Sequence, residues 1–325
     1  MAISKNTMTM RKCFETILLY AAIIVPAACT GSDIQEIHAF GLEIVPAQDD
    51  AARASYTDEL PEEGIIRTIG YIIAESGTGK VVDKGRANCG GVQSFPLNLR
   101  LPAGTYDYLV VANGPDISSC AGIPDALETE VPFSEFNNAY NGFCMSETGS
   151  FSSDRTNRSA VCHLRRLVCR ICLRSLKNAL PPELGDFVPE YFAVGNPVTA
   201  PMTLGGRLTA SPQRGAGPEI RISGISIPPG GRNEWDDPIR QYSYPDHGLP
   251  KPTVLTLAGR VGGILYYYPI LLEEGGLQSN CTYSLDLTVC GLGSSDPLVP
   301  ADKGTLELSA TLQTWHDGYT HSSEI

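Results

Sequence analysis

From Thr305 to Thr314 the chain alternates without a fault: Leu306, Leu308, Ala310 and Leu312 take every second place, with Glu307, Ser309, Thr311 and Gln313 between them. Period two sends one set to each face of an extended chain, so a β-strand buries these apolar side chains and a helix would scatter them. The same period recurs upstream. Ile65, Ile69, Tyr71 and Ile73 fall at even offsets, Gly77-Thr78-Gly79 supplies a turn, and Val81-Val82 returns as a partner strand. In "LPAGTYDYLVVANG" a Pro-Ala-Gly turn leads into Tyr106, Tyr108, Val110 and Ala112. His38 to Pro46, Glu219 to Ile227, "TVLTLAG", "GGILYYYPILL" and "CTYSLDLTV" read as further strands, and Ser159 to Leu173 is long enough for one bent or bulged strand. Residues 113 to 158 read as loop, with at most a short helix around Ser134 to Tyr140 and a polar linker from Asp154 to Arg158.

No apolar stripe at helical spacing lasts three turns, and Gly and Pro punctuate the chain about every ten residues, the spacing of a sandwich or barrel of short strands. No internal repeat at a period of about 20–50 residues points to a solenoid or propeller. The 325 residues suit two domains, at a prior of roughly 150 residues each. The expected division is a leader of residues 1–28, a first domain of residues 29–157 and a second of residues 158–325.

Lys5, Arg11 and Lys12 precede an apolar run from Ile17 to Val25, then Ala27, Ala28 and Cys29, the pattern of an export signal. The run is shorter than the roughly 20 residues that span a bilayer. Small residues directly before a cysteine resemble a bacterial lipobox, which implies lipidation of Cys29. The aliphatic residue usual three places before the cysteine is here Pro26, with Val25 one step further out. The other reading is a secretory signal cut near Ala28. Several acyl chains on Cys29 would anchor the chain stably, because each buried methylene contributes about 0.8 kcal/mol.

The formal charge of −12 argues against nucleic acid, whose phosphates need clustered Lys and Arg. Beyond Cys13 and Cys29 the cysteines are Cys89, Cys120, Cys144, Cys162, Cys169, Cys172, Cys281 and Cys290. Their spacing fixes no connectivity, and disulfides and small buried thiols both stay open.

No constellation of reactive residues emerges. "ESGTGKV" lacks the first Gly and the final Ser or Thr of a phosphate loop, having Ala74 and Val81 there, and it lies between strands as a hairpin turn. Cys169 and Cys172 diverge on a strand, as do Cys162 and His163, so packing outweighs zinc. The five histidines form no HExxH pair, and no Gly-x-Ser-x-Gly elbow offers a nucleophile. Asp236-Asp237 and Glu273-Glu274 are adjacent only in sequence. Of Tyr266, Tyr267 and Tyr268, two share a face and suit a core better than a sugar platform. No catalytic, cofactor or metal-binding residue is assigned, and the chain is not read as an enzyme.

Several pieces in order resemble the fimbrillins of Bacteroidales, the FimA-type fimbrial subunit superfamily. They are the signal ending at Cys29, "LPAGTYDYLVVANG", "GFCMSETG" followed by "CHLRRLVCRICLRSLKN", "YYYPILL" followed by "NCTYSLDLTVCGLGSSDP", and the final "LQTWHDG". The resemblance implies two tandem transthyretin-like β-sandwich domains behind a lipoprotein signal. It also implies a cell-surface fimbria or pilus subunit that supports adhesion, reaches the outer membrane as a lipid-anchored precursor and is cut by an Arg-specific protease. Removal of the first strand, here His38 to Pro46, then opens a groove for a strand from another fimbrial subunit. The cut implied here follows Arg53; Arg67, within an expected strand, gives a protease poor access. The donor region implied is Thr305 to Ile325, with Leu306, Leu308, Ala310 and Leu312 as plug residues. Only ten residues follow Trp315, so if Thr305 to Thr314 completes its own domain little remains to donate, which leaves a tip or anchor subunit open. A surface glycan-binding lipoprotein of a nutrient-uptake system is the alternative, with Trp235 and Trp315 as its few platform residues.

Overall fold

The computed structural model describes residues 37–47, 60–138, 142–208, 214–246, 249–272, 276–299, 304–314 and 320–324. The first half contains β1 (Ile37–Pro46), β2 (Ile66–Glu75), β3 (Val81–Val92), β4 (Phe95–Pro102), β5 (Gly104–Ala112), the two-residue strands β6 (Glu130–Val131), β7 (Asn137–Asn138) and β8 (Gly142–Phe143), then β9 (Met145–Ser153) and β10 (Ser159–Arg166). The second half contains β11 (Cys169–Asn178), β12 (Phe187–Val194), β13 (Met202–Thr203), β14 (Glu219–Arg221), β15 (Arg232–Ser243), β16 (Val254–Val261), β17 (Ile264–Leu271), β18 (Cys281–Val289), β19 (Leu306–Thr314) and β20 (Thr320–Glu324). Short helices, Ile123–Leu127 and Phe133–Phe136, sit between β5 and β9. The fold is all-β, as the alternation requires.

The first half is one sheet in the order β3-β2-β5-β9-β10-β1-β4. Its two wings meet at a narrow corner, where Arg165 and Arg166 of β10 face Ser146 and Met145 of β9. The wings close on a shared core: Phe40, Leu42 and Ile44 from one side meet Ile69, Ile73, Tyr108 and Val110 from the other. In the second half a sheet β15-β11-β18-β19-β20 faces a sheet β14-β12-β16-β17. Between them lies a core of Ile171, Leu173, Phe187, Leu257, Tyr268 and Leu285, among others. A third cluster draws on both halves, packing Leu109, Val111 and Phe143 with Val198, Met202 and Tyr244. The β6–β13 pair, Val131 opposite Met202, joins them through the backbone.

The structure departs from the sequence reading in four places. Ser159 to Leu173 is two strands in different sheets, because alternation stops at Arg166 and every residue from Arg166 to Leu173 is buried. Residues 113 to 158 contain β9, which pairs with β5 along its whole length, Gly104 to Ala112 opposite Ser153 to Met145. Asp154 to Arg158 is a tight turn, in which the Asp154 carboxylate accepts from the backbone N–H groups of Thr156 at 2.6 Å and Asn157 at 2.7 Å. Glu219 to Ile227 reduces to the three residues of β14 and an isolated bridge between Phe187 and Ile227.

Because β10 pairs with β1 in parallel, Gly41 opposite Ser159 through Pro46 opposite Leu164, it belongs to the sheet of the first half. Sheet membership therefore changes at Leu167 and Val168, ten residues beyond the boundary expected after residue 157.

Candidate functional site

The segment read as a removable strand is β1, and it lies within its sheet rather than at an edge. It runs parallel to β10 and antiparallel to β4, with Phe40 opposite Leu99 and Leu42 opposite Leu97. Its residues alternate between exposed or half-buried and buried along the strand. Phe40, Leu42 and Ile44 point into the first core, and the Phe40 ring stacks on Phe151 with centroids 4.2 Å apart. Burying each such side chain contributes about 1.5–3 kcal/mol. An extended strand held by two neighbours and by alternating sockets is what a second strand of similar pattern could replace.

β1 ends at a junction built from polar groups. Ala47, fully buried, donates its N–H to the Leu164 carbonyl at 2.7 Å. Its own carbonyl accepts from Arg166 Nη1 at 3.0 Å, while Arg166 Nε donates to the Glu63 carbonyl at 3.0 Å. Ala47 and Glu63 flank the segment that carries Arg53, so one guanidinium reaches both sides of it. The Glu63 side chain takes an ion pair from Arg170 and a hydrogen bond from the Tyr242 hydroxyl, and accepts from the Leu60 N–H at 3.0 Å. Arg170 Nη2 also donates to Thr282 Oγ1 at 2.9 Å, and the Arg166 N–H donates to Asn280 Oδ1 at 3.0 Å. Burial, with the Glu63 carboxylate next, pushes the Tyr242 hydroxyl well above the ordinary tyrosine range, so it stays a donor.

Beside this junction opens a cleft of about 750 Å³ lined by Glu62, Phe133, Phe143, Pro238, Arg240 and Tyr242, among others. Of its polar groups, Glu63 is engaged as above and Arg240 pairs with Asp237.

Leu306, Leu308, Ala310 and Leu312 lie on β19, between β18 and β20, where they pack partly buried against the second core. Arg67 lies in β2, its N–H donating to Asn113 Oδ1 at 2.8 Å. Cys29, Arg53, Trp315 and residues 1–28 fall outside the described residues. Tyr268 is buried and Tyr266 packs against the same core, while the Tyr267 N–H donates to the Ser294 carbonyl at 2.8 Å. Trp235 also packs against the second core. Cys162 is buried in the first core and Cys169 in the second, with His163 exposed between neighbours of opposite parity. Burial pushes the Cys162 thiol up to about 12. Among the described residues no three His, Cys, Asp or Glu side chains converge as a metal site would require.

The junction went unread in the sequence, although its signal was present. Arg166 continues the parity of Cys162 and Leu164, so the alternation itself puts a cation on the inward face.

No protein-family model matches the sequence, and no curated protein matches it significantly. Solved structures do match by fold. A candidate cell adhesion protein from Parabacteroides distasonis aligns over 86% of this chain and 98% of its own, with a TM-score of 0.66 at 13% identity. The tip fimbrial protein Mfa3 from Porphyromonas gingivalis aligns over 86% of this chain and 100% of its own, with a TM-score of 0.57 at 14% identity. The chain has the fimbrillin-type fold. A fimbrilin, FimA, from Porphyromonas gingivalis aligns over 85% of this chain and 97% of its own, with a TM-score of 0.54 at 13% identity. The fimbrillin-type fold matches the resemblance carried by the sequence motifs and spans both halves of the chain.

Proposed function

We propose that this chain is a structural subunit of a cell-surface fimbria that supports adhesion, exported as a precursor lipidated at Cys29 and held at the outer membrane. An Arg-specific protease cuts after Arg53, β1 departs, and the groove between β10 and β4 receives a strand from another fimbrial subunit. Its role is mechanical rather than enzymatic. The reading treats the halves as two transthyretin-like domains divided at Leu167 and Val168.

One observation carries this reading: β1 is an inserted strand, paired on both sides and plugged into the core by Phe40, Leu42 and Ile44. The fold similarity to FimA and to the tip protein Mfa3 supports it. The proposed donor residues are Leu306, Leu308, Ala310 and Leu312. In the free chain they cover the second core, so donation requires β19 to leave β18. Entry into a neighbour's groove then exchanges apolar burial like for like, the energetic logic of domain swapping.

Cleavage of the purified chain by an Arg-specific protease tests the proposal. Detergent-resistant oligomers are expected from the cleaved chain and not from Arg53→Ala. A fully cleaved product that stays monomeric at high concentration would overturn it.

A further inference from the structure

Arg166 sits where the strand-exchange reading needs a decision to be made, at the end of the strand that leaves. Its side chain is 1% exposed, and its Nη1 donates to a carbonyl of Ala47, one residue beyond β1. Its Nε donates to the Glu63 carbonyl on the far side of the segment carrying Arg53. Backbone carbonyls are the acceptors in both contacts, so the interaction reads the length and register of a strand and not its side chains.

We propose that Arg166 is a length gauge for the acceptor groove: it retains β1 after the chain is cut and favours an incoming strand that carries a backbone carbonyl at the position of Ala47. This rests on the strand-exchange reading above and adds to it the chemistry of the partner. The partner is an extended segment of at least eleven residues, running parallel to β10. It has apolar side chains at the places of Phe40, Leu42 and Ile44, and one further peptide carbonyl beyond the last paired residue. A shorter strand fills the same sockets and takes an acceptor away from a buried cation. Hydrogen bonds to charged groups are the costly ones to lose, so the difference falls mostly on the dissociation rate.

The experiment uses the full chain, cut at a protease site introduced between residues 48 and 59, and two fluorescent peptides ending in a carboxamide. One spans residues 37–47 and the other residues 37–46, whose terminal amide N–H can still donate to Leu164 while the Ala47 carbonyl is gone. The longer peptide is expected to dissociate about ten- to a hundredfold more slowly. That ratio is expected to collapse toward one in Arg166→Met and to recover in part in Arg166→Lys. Equal rates for the two peptides on the unsubstituted protein would overturn the gauge and leave strand exchange standing. If the cut chain neither releases β1 nor takes up either peptide, strand exchange fails and the gauge with it. Because the comparison of peptides needs no substitution, a poorly folding Arg166→Met does not spare the proposal.

Discussion

Arg170 and Glu63 form an ion pair that joins the two halves of the molecule, with side-chain exposures of 0% and 1%. Arg170 lies on β11, and Glu63 in a short 3-10 turn between β1 and β2. In such a place further hydrogen bonds help attraction to offset desolvation, and here Tyr242 and Leu60 engage the carboxylate while Thr282 accepts from Arg170 Nη2. Glu63→Gln leaves the cation without its counter-charge and is expected to cost about 3–5 kcal/mol in urea unfolding. The pair Glu63→Gln and Arg170→Met is expected to recover much of that. A single-variant loss of about 1 kcal/mol or less, the value of an exposed pair, would contradict the buried assignment.

Asn113 has φ 52°, in the left-handed region. Its side chain accepts from the N–H of Arg67 at 2.8 Å and donates to the carbonyls of Ile65 at 2.7 Å and Phe143 at 3.2 Å. Asn113→Gly keeps the backbone freedom and removes the bonds. It is expected to destabilise by about 1–3 kcal/mol, the cost of leaving buried polar groups unmade. A Gly variant as stable as the parent would mean that conformation alone selects this residue.

Gly259 in β16 lies under the Phe187 ring: an added Cβ would come 2.2 Å from Cζ and 2.6 Å from Cε2. Phe187 is fully buried, so Gly259→Ala is expected to cost about 1–3 kcal/mol by overpacking. In a Phe187→Leu background the same substitution should cost clearly less, and a double-mutant cycle by thermal unfolding measures the difference. Strict additivity would contradict the contact.

Burial holds the thiols of Cys144 and Cys169 and the hydroxyls of Tyr108 and Tyr283 above their ordinary values of 9.0 and 10.0, and pushes Cys281 up to about 11. Each group keeps its proton longer in the folded state than in the unfolded one. Stability is therefore undiminished below the unfolded values and falls as pH rises through them toward the folded values. The urea midpoint is expected to drop progressively above about pH 9. A flat midpoint up to about pH 11 would show that these groups titrate freely.

The strands legible in the sequence are those whose apolar residues recur at every second place. β19 alternates strictly, while in β2 and β5 the series Ile69, Tyr71, Ile73 and Tyr106, Tyr108, Val110, Ala112 marks the strand even though Ile72, Leu109 and Val111 on the other face are buried as well. β9, with the sequence MSETGSFSS, was not legible, because only Met145, Phe151 and Ser153 are buried and its place is secured by backbone bonding to β5. The sequence alone does not separate β11 from β10, since a strand buried on both faces loses the alternation that marks its start. The junction escaped for a related reason. Glu63, Arg166, Arg170 and Tyr242 stand far apart in sequence and converge only after both halves have folded, so nothing local marked them as partners.

The central claim is that β1 is removed when the subunit assembles. The most direct measurement is the N-terminus of the protein sheared from the surface of cells that express it, read by mass spectrometry. The account predicts a chain that starts at Ala54. A sheared chain that still carries β1, with an acylated Cys29 at its start, would contradict it.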